Sequence, residues 1–341
     1  MSELGVEIYL HTFEYGRGTQ KELAKYCKKI YYYKRNPFVK SFLSSDPFIV
    51  KSRNNDRLID TLNKDTSPIL FEGLHTTYPI FENRLKGQAI FVRAHNIEHR
   101  FYKGLYESET NLFKKRFFKQ EAKKLKRYQQ ILKKVDGVFT ISPFEQEYFL
   151  QKIGRHCQYI PAFHEVLKKE HSEKKGKYIL YHGNMMVSEN VKAALFLINI
   201  YKDSGFLFII ASSYVHKNLI KEIDQHANIS FSKIDTQNDL SNLFDAAHIN
   251  VLPTFQKTGI KLKLLNTLYQ SKFIIANDFM IDDTGLETLC ERANTKSEFR
   301  TKTATLFNTD FSNDIVHERL RILQQFDPLK GGQKIIDIIF D

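Results

Sequence analysis

Lys261 and Lys263 stand close together in residues 258–278, TGIKLKLLNTLYQSKFIIAND. Thr258 and Gly259 make a good helix start: threonine can cap it, and glycine lets a ligand approach the backbone. Ile260, Leu264, Leu265 and Leu268 then recur at the spacing of one helical face. Cations in a first turn oppose the helix dipole, so these lysines make sense if an anion lies at the N-terminus. Phe273 to Ala276 follow as a buried parallel strand. The chemistry implied is phosphate binding at a loop between a strand and a helix.

Two other stretches concentrate polar residues. Glu72-Gly73-Leu74-His75 follows one apolar run, and Arg93-Ala94-His95-Asn96-Ile97-Glu98-His99-Arg100 follows the next. Histidines, carboxylates and arginines this dense suit proton transfer or ligand binding at a strand-to-helix loop. His-x-x-Glu-His is not the zincin order and no third ligand is evident, so no metal is expected. The structural alternative is that Asn96 caps the next helix and the other side chains are solvated. Residues 114–134 hold ten Lys or Arg and one acidic residue, Glu121. Phe113, Phe117, Leu125, Tyr128 and Leu132 give this segment an apolar side. It reads either as a basic amphipathic helix for an anionic membrane or nucleic acid, or as a docked helix with a solvated basic face.

These residues need a scaffold, and the apolar runs supply one. Val6–Leu10, Lys29–Tyr33, Pro68–Phe71, Ala89–Arg93 and Val138–Ile141 read as strands, with a helix near Gln20–Cys27 and others between. Ser142-Pro143-Phe144-Glu145 is a structural helix start. After the strand Cys157–Ile160, residues 165–177 are charged and mark a boundary. A second series follows: strands Tyr178–Tyr181, Phe206–Ile210, Ile229–Phe231 and Ile249–Leu252, with helices Glu189–Ile200, from His216, and Asp239–Ala246. Strand–helix alternation predicts α/β domains with doubly wound sheets, whose ligands bind beyond the carboxyl ends of the strands. Loops 182–186, 211–214 and 253–259 then share one sheet edge, bringing Gly183, Asn184 and Ser212 to the lysines. The tail from Leu286 reads as helices, and residues 333–340 are too apolar to stay exposed.

A chain of 341 residues with 42% hydrophobic content predicts two ordinary cores. A net charge of +12 predicts anionic partners: nucleic acid, acidic lipid or phosphorylated substrates. Three scattered cysteines argue for reduced thiols in the cytoplasm, against disulfides and zinc. Neither a membrane-spanning run nor a signal peptide is expected.

Taken together, these residues resemble the GT-B glycosyltransferases, two Rossmann-like domains facing a cleft. The likeness is to the retaining, sucrose-synthase-like bacterial enzymes that build surface polysaccharides. Residues 178–193, YILYHGNMMVSENVKA, resemble that group's donor-domain opening, G-S/N-M-x-x-x-x-N. Residues 258–268 resemble its G-T-R-L-K-x-L-E-A-M segment, and residues 93–98 its acceptor-side H-N-x-E loop. The resemblance implies a first, acceptor-side domain over 1–163, a donor domain over 164–320, and a helix over 321–341 that packs back on the body.

It also implies roles. His95 and Glu98 become catalytic; Gly183, Asn184, Ser212, Thr258, Gly259, Lys261, Lys263 and Asn266 bind the donor; His75, Arg93 and Asn96 lie on the acceptor side. Thr258 and Asn266 stand where the family has paired glutamates, and Asn184 and Asn190 where many relatives have Arg and Lys. The family's opening strand, Gly-rich loop and helix have no counterpart before Gly5-Val6-Glu7-Ile8. Either the start codon is misassigned, or the first domain lacks its first strand and helix and exposes a sheet edge.

The activity implied is transfer of a sugar from a nucleotide-diphosphate sugar to a glycan or polyprenyl-linked acceptor. No cofactor or metal is implied, and Asp-x-Asp is absent. The enzyme would be cytoplasmic, with residues 114–134 on the anionic inner face of the membrane. Other readings remain: a sugar-nucleotide epimerase or silent scaffold within the fold, or a nucleic-acid-binding protein. The last lacks any recognised binding motif, so nucleic acid is not expected.

Overall fold

Short runs rich in Ile, Val, Phe and Tyr become parallel strands, and the helices between them cover the sheets. A computed structural model describes residues 1–16, 18–37, 44–154, 156–165, 174–255 and 262–341. The chain divides into two units. Met1–Tyr106, Asn111–Phe163 and Asp327–Asp341 make the first, Glu107–Thr110 and His164–Phe326 the second.

In the first unit β1 (Tyr9–Phe13) pairs in parallel with β2 (Lys29–Tyr33), Tyr9 opposite Lys29. β3 (Ile69–Glu72), β4 (Ile90–Ala94), β5 (Gly137–Thr140) and β6 (Cys157–Tyr159) form a second parallel sheet in the order β3-β4-β5-β6. β1 starts at Tyr9 rather than at Val6. The helix expected near Gln20–Cys27 is a 3-10 helix, Lys21–Lys25, with no buried residue. Without an apolar face to pack, nothing drives that segment into a longer α-helix. Ser142 caps the helix Pro143–Ile153, its hydroxyl accepting from the Glu145 amide at 3.3 Å.

The basic segment is the helix Leu112–Tyr128, continued by the 3-10 helix Gln129–Lys134. Leu125, Tyr128 and Leu132 are buried, whereas Phe113 is turned to solvent. Glu121 is also buried: it accepts from the Phe48 amide at 2.5 Å and pairs with Lys124 at 2.9 Å. Its outer face is therefore left to the cations. The last helix, Pro328–Phe340, returns to this unit and seats Ile335 against Phe91, Phe139 and Ile160.

The second unit holds β7 (Tyr178–His182), β8 (Phe208–Ser212), β9 (Ile229–Lys233), β10 (Ala247–Leu252), β11 (Phe273–Ala276) and β12 (Glu291–Arg292). They make one parallel sheet in the order β12-β11-β10-β7-β8-β9. The chain winds outward from the β7/β10 pair in both directions, so strand order reverses there. Doubly wound sheets bind ligands at that reversal. Ile179, Tyr181, Leu197, Ile210, Val251 and Phe299 share its core, each large apolar side chain contributing roughly 1.5–3 kcal/mol.

Two boundaries move for local reasons. The helix expected from Asp239 begins at Gln237, because Thr236 and Asp239 form a capping box around its start. The unit runs to Phe326 rather than to residue 320. The helix Asn313–Leu323 belongs to it through buried Arg319, whose guanidinium donates to the carbonyls of Leu268, Ser271 and Lys272 at 3.1, 2.6 and 2.6 Å. Those carbonyls close the helix Leu262–Gln270, so Arg319 satisfies acceptors that a helix end leaves open. β12 was not expected within the helical tail; it is a short edge strand paired with β11.

Candidate functional site

Lys263 enters the second unit's site from the helix Leu262–Gln270, whose Leu264, Leu265 and Leu268 are buried. Its ammonium lies 4.5 Å from the centroid of the Tyr181 ring, 3.5 Å from that hydroxyl and 3.4 Å from Asn190 Oδ1. A side chain that starts after β10 thus ends over the carboxyl end of β7, across the strand-order reversal. Gly183 makes room for it: a Cβ there would come within 3.0 Å of Lys263 Nζ and 3.2 Å of Asn190 Cγ. His182 is pushed down to about 3 by burial, with Lys263 adding to the shift, so it is neutral beside the lysine.

The loops around the lysine are pinned by their own side chains. Asn184 Oδ1 accepts from the Met186 amide at 2.9 Å, and its carbonyl accepts from Asn190 Nδ2 at 2.9 Å. Ser212 Oγ accepts from the Met185 and Tyr214 amides at 3.2 and 3.1 Å, tying the β8 end to the β7 loop. Both residues hold the loops' shape. Glu189 Oε1 takes the Phe255 amide at 3.1 Å and the Thr254 hydroxyl. Asn277 accepts from the Thr254 amide at 3.0 Å and donates to its carbonyl at 2.7 Å. Asn266 Oδ1 accepts from Gln270 on its own helix. Thr258, Gly259 and Lys261 lie outside the described residues.

In the first unit, the carboxyl ends of β3 and β4 bring Glu72 and His95 together. His95 Nε2 donates to Glu72 Oε2 at 2.6 Å, and an Arg93 nitrogen lies 3.8 Å from Glu72 Oε1. Burial pushes the Glu72 carboxyl up, but the His95 hydrogen bond and the Arg93 charge outweigh it, and the net shift is downward. Arg93 itself is buried, donating to the Pro161 carbonyl at 3.1 Å with its guanidinium 4.0 Å from the Phe163 ring centroid. It ties β4 to the segment leaving the unit. Gly73 has φ 89°, and a Cβ on it would lie 2.5 Å from His75 Cε1. The imidazole of His75 is pushed down to about 4 by burial, then by Arg53 and the other nearby cations.

Glu98 sits in the first turn of the helix Glu98–Ser108. Burial lifts its carboxyl to about 7 against the pull of His95 and Arg53. Ile97, not Asn96, supplies the first helical carbonyl, accepting from Arg100 at 2.8 Å; Asn96 lies one residue ahead of the cap. His99 and Arg100 leave the cluster and pack against the Tyr148 ring, 5.9 and 4.7 Å from its centroid. What remains is a carboxylate–imidazole pair close to a carboxyl that titrates near neutrality, able to hold or move a proton at a bound hydroxyl. Among the described residues, no three His, Cys, Asp or Glu side chains group as a metal would require.

Tyr181, Glu189 and Asn277 on one side, and Tyr15, Arg35 and Arg53 on the other, were not among the residues expected at these sites. Glu189 and Asn277 carried a faint signal as polar residues at strand-to-helix turns. Arg35 and Arg53 carried none, because only the fold brings residues after β2 beside those after β3.

No protein-family model matches the chain. A curated relative, an uncharacterized 44.6 kDa protein in the cps region of Klebsiella pneumoniae, is 25% identical over 295 residues, 82% of this chain and 75% of its own. A glycosyltransferase from Rickettsia africae superposes with TM-score 0.64 at 15% identity, covering 99% of this chain and 90% of its own. Anabaena HepE in complex with UDP and glucose gives 0.62 at 12% identity, over 93% and 87%. A variant of S. aureus TarM in complex with fondaparinux, alpha-GlcNAc-glycerol and UDP gives 0.57 at 12% identity, over 80% of this chain and 55% of that one. The chain thus spans little more than half the length of TarM. Parallel α/β units in this order, superposing on these structures, make the fold that of the GT-B glycosyltransferases.

Proposed function

We propose that the protein transfers a sugar from UDP-sugar to a glycan or polyprenyl-linked acceptor in the synthesis of a surface polysaccharide. The observation that carries this reading is Lys263, held over Gly183 and Tyr181 at the strand-order reversal. As the bond between the sugar and the diphosphate breaks, negative charge builds on the leaving phosphate. An ammonium already in position stabilises that charge without reorganising. Lys261 and the backbone around Thr258 and Gly259 would extend the same anion site. His95, oriented by Glu72, and Glu98 would handle the acceptor hydroxyl in the first unit. UDP as the donor nucleotide is supported by its presence in the HepE and TarM complexes, and the polysaccharide context by the cps-region relative. Retention of configuration follows the family resemblance, and no metal or cofactor takes part.

The finer placement concerns the basic helix. Leu112 and Phe113, 80% and 89% exposed, lead a helix whose outer face is lysine and arginine. Exposed apolar side chains beside cations suit the boundary of an anionic bilayer. Among the described residues no helix is long and apolar enough to cross a membrane. The enzyme would therefore lie on the membrane surface, where polyprenyl-linked acceptors are found.

A thermal-shift screen against UDP, GDP and their sugars tests the donor reading, followed by release of UDP in the presence of a polyprenyl-linked glycan. UDP and at least one UDP-sugar should stabilise the protein. If none does, and none is consumed, the reading fails.

A further inference from the structure

Tyr15, beyond the end of β1, is flanked by two arginines from different parts of the first unit. The Arg35 guanidinium lies 5.2 Å from its ring centroid and that of Arg53 5.5 Å. Arg35, just past β2, donates to Ser52 Oγ at 2.6 Å. Arg53 is 7% exposed, and its guanidinium donates to the Ile49 carbonyl and the Tyr15 hydroxyl. Burial draws its proton affinity down to about 10. Two carboxyls lie nearby: Glu72 is engaged with His95 and Arg93, and Glu98, which attracts Arg53 without an ion pair, is lifted to about 7 by burial. Among the described residues neither Arg35 nor Arg53 makes an ion pair. Both act electrostatically on His75, so the two cations and this histidine converge beyond the carboxyl ends of β2 and β3.

Placing two guanidiniums around one ring without a directly paired carboxylate costs Coulomb energy in the free protein. Such an arrangement is relieved by an anion, and each guanidinium fork matches an oxyanion through two parallel hydrogen bonds. Two positive charges favour the doubly charged phosphoryl group over a single carboxylate. Tyr15 is 56% exposed, so the place is open to solvent.

We infer that Arg35 and Arg53 form a phosphate-binding site in the first unit and that it receives a phosphoryl group of the acceptor. The second half of this statement rests on the transfer reading above; the first half does not. Tyr15 and Ser52 hold the two forks apart, and the site lies in the same cluster as His95 and Glu98. An acceptor phosphorylated near its reacting end would then be fixed by its phosphate while its hydroxyl meets His95.

Calorimetric titration of the full-length protein with inorganic phosphate, with UDP present to fill the second unit's site, tests the inference. Arg35→Gln should weaken phosphate binding at least tenfold. Arg53→Lys, which keeps the buried charge and protects the fold, should weaken it several-fold. Phosphate affinity unchanged in both variants overturns the site. Polyprenyl phosphate in detergent micelles should compete with inorganic phosphate; failure to compete overturns the acceptor half and leaves the site standing. Binding of glucuronate without any binding of phosphate overturns the phosphoryl assignment. An intact phosphate site in a protein that never turns over a UDP-sugar sinks the transfer reading and the acceptor half with it, and leaves the phosphate site standing.

Discussion

Glu72 holds His95 by a 2.6 Å hydrogen bond to Nε2, joining the carboxyl ends of neighbouring parallel strands. The carboxylate accepts only, so the proton lies on Nε2 and Nδ1 is left as the acceptor. Glu72→Gln keeps the shape but removes the charge and the preferred tautomer. Transfer kcat should fall roughly 10–100-fold, with the KM for the donor unchanged. Because the Glu72 carboxyl is held below its ordinary value, it stabilises the fold above about pH 4.5, and that contribution fades as pH drops through the folded value. The stability difference between wild type and Glu72→Gln should therefore shrink in acid. Equal kcat in the two proteins would remove His95 orientation from the mechanism.

Lys263→Ala should weaken UDP-sugar binding at least tenfold by calorimetry, since the amino group is the cation at the strand-order reversal. Gly183→Ala is the subtler probe. The new methyl would stand 3.0 Å from Nζ, the far end of a flexible side chain, so the fold survives while the ammonium shifts. Donor affinity should drop several-fold with little change in Tm.

Glu98 gives a pH signature of opposite sign to Glu72. Its carboxyl, lifted to about 7, keeps its proton in the folded state while the unfolded chain has lost it. Stability should fall as pH rises from about 4.5 to 7, because the native state binds the extra proton there. Glu98→Gln removes this slope. It should be more stable than wild type at pH 8 by about 1–2 kcal/mol, and equal to it at pH 4, by denaturant titration.

Leu112→Ser with Phe113→Ser should reduce co-sedimentation with vesicles rich in anionic lipid by roughly tenfold, and leave UDP binding as it was. Raising salt should weaken what binding remains, because lysine and arginine supply the rest. Vesicle binding that survives both changes would put the membrane contact elsewhere.

Chelation separates this chemistry from metal-dependent transfer. If Lys263 meets the diphosphate as proposed, turnover should persist within about twofold in excess EDTA. Restoration of lost activity by Mg²⁺ or Mn²⁺ would refute that.

The strand–helix rhythm was legible because buried parallel strands are short apolar runs, and most lie within a few residues of their expected places. Caps were equally readable: Ser142 before Pro143 is a local device that needs no tertiary context. Lys263 also stood out as a cation in a helix's first turn, and His95 as a polar residue just beyond an apolar run. Their partners did not. Glu72 was seen as a loop residue, but only the β3–β4 register brings it to His95. Tyr181 read as one more apolar strand position, though its ring supports the lysine. Arg319 lies far along the chain from the helix end whose carbonyls it satisfies. Arg35 and Arg53 sat among many surface cations, and nothing in their spacing distinguishes two that are drawn inward around a tyrosine.

The return of the helix Pro328–Phe340 to the first unit has a consequence for synthesis on the ribosome. The second unit is an insertion, complete once Phe326 has emerged, whereas the first waits for Ile335 to reach Phe91, Phe139 and Ile160. The half made first is thus finished last. A nonsense codon near the end of the gene would damage the half encoded at its beginning.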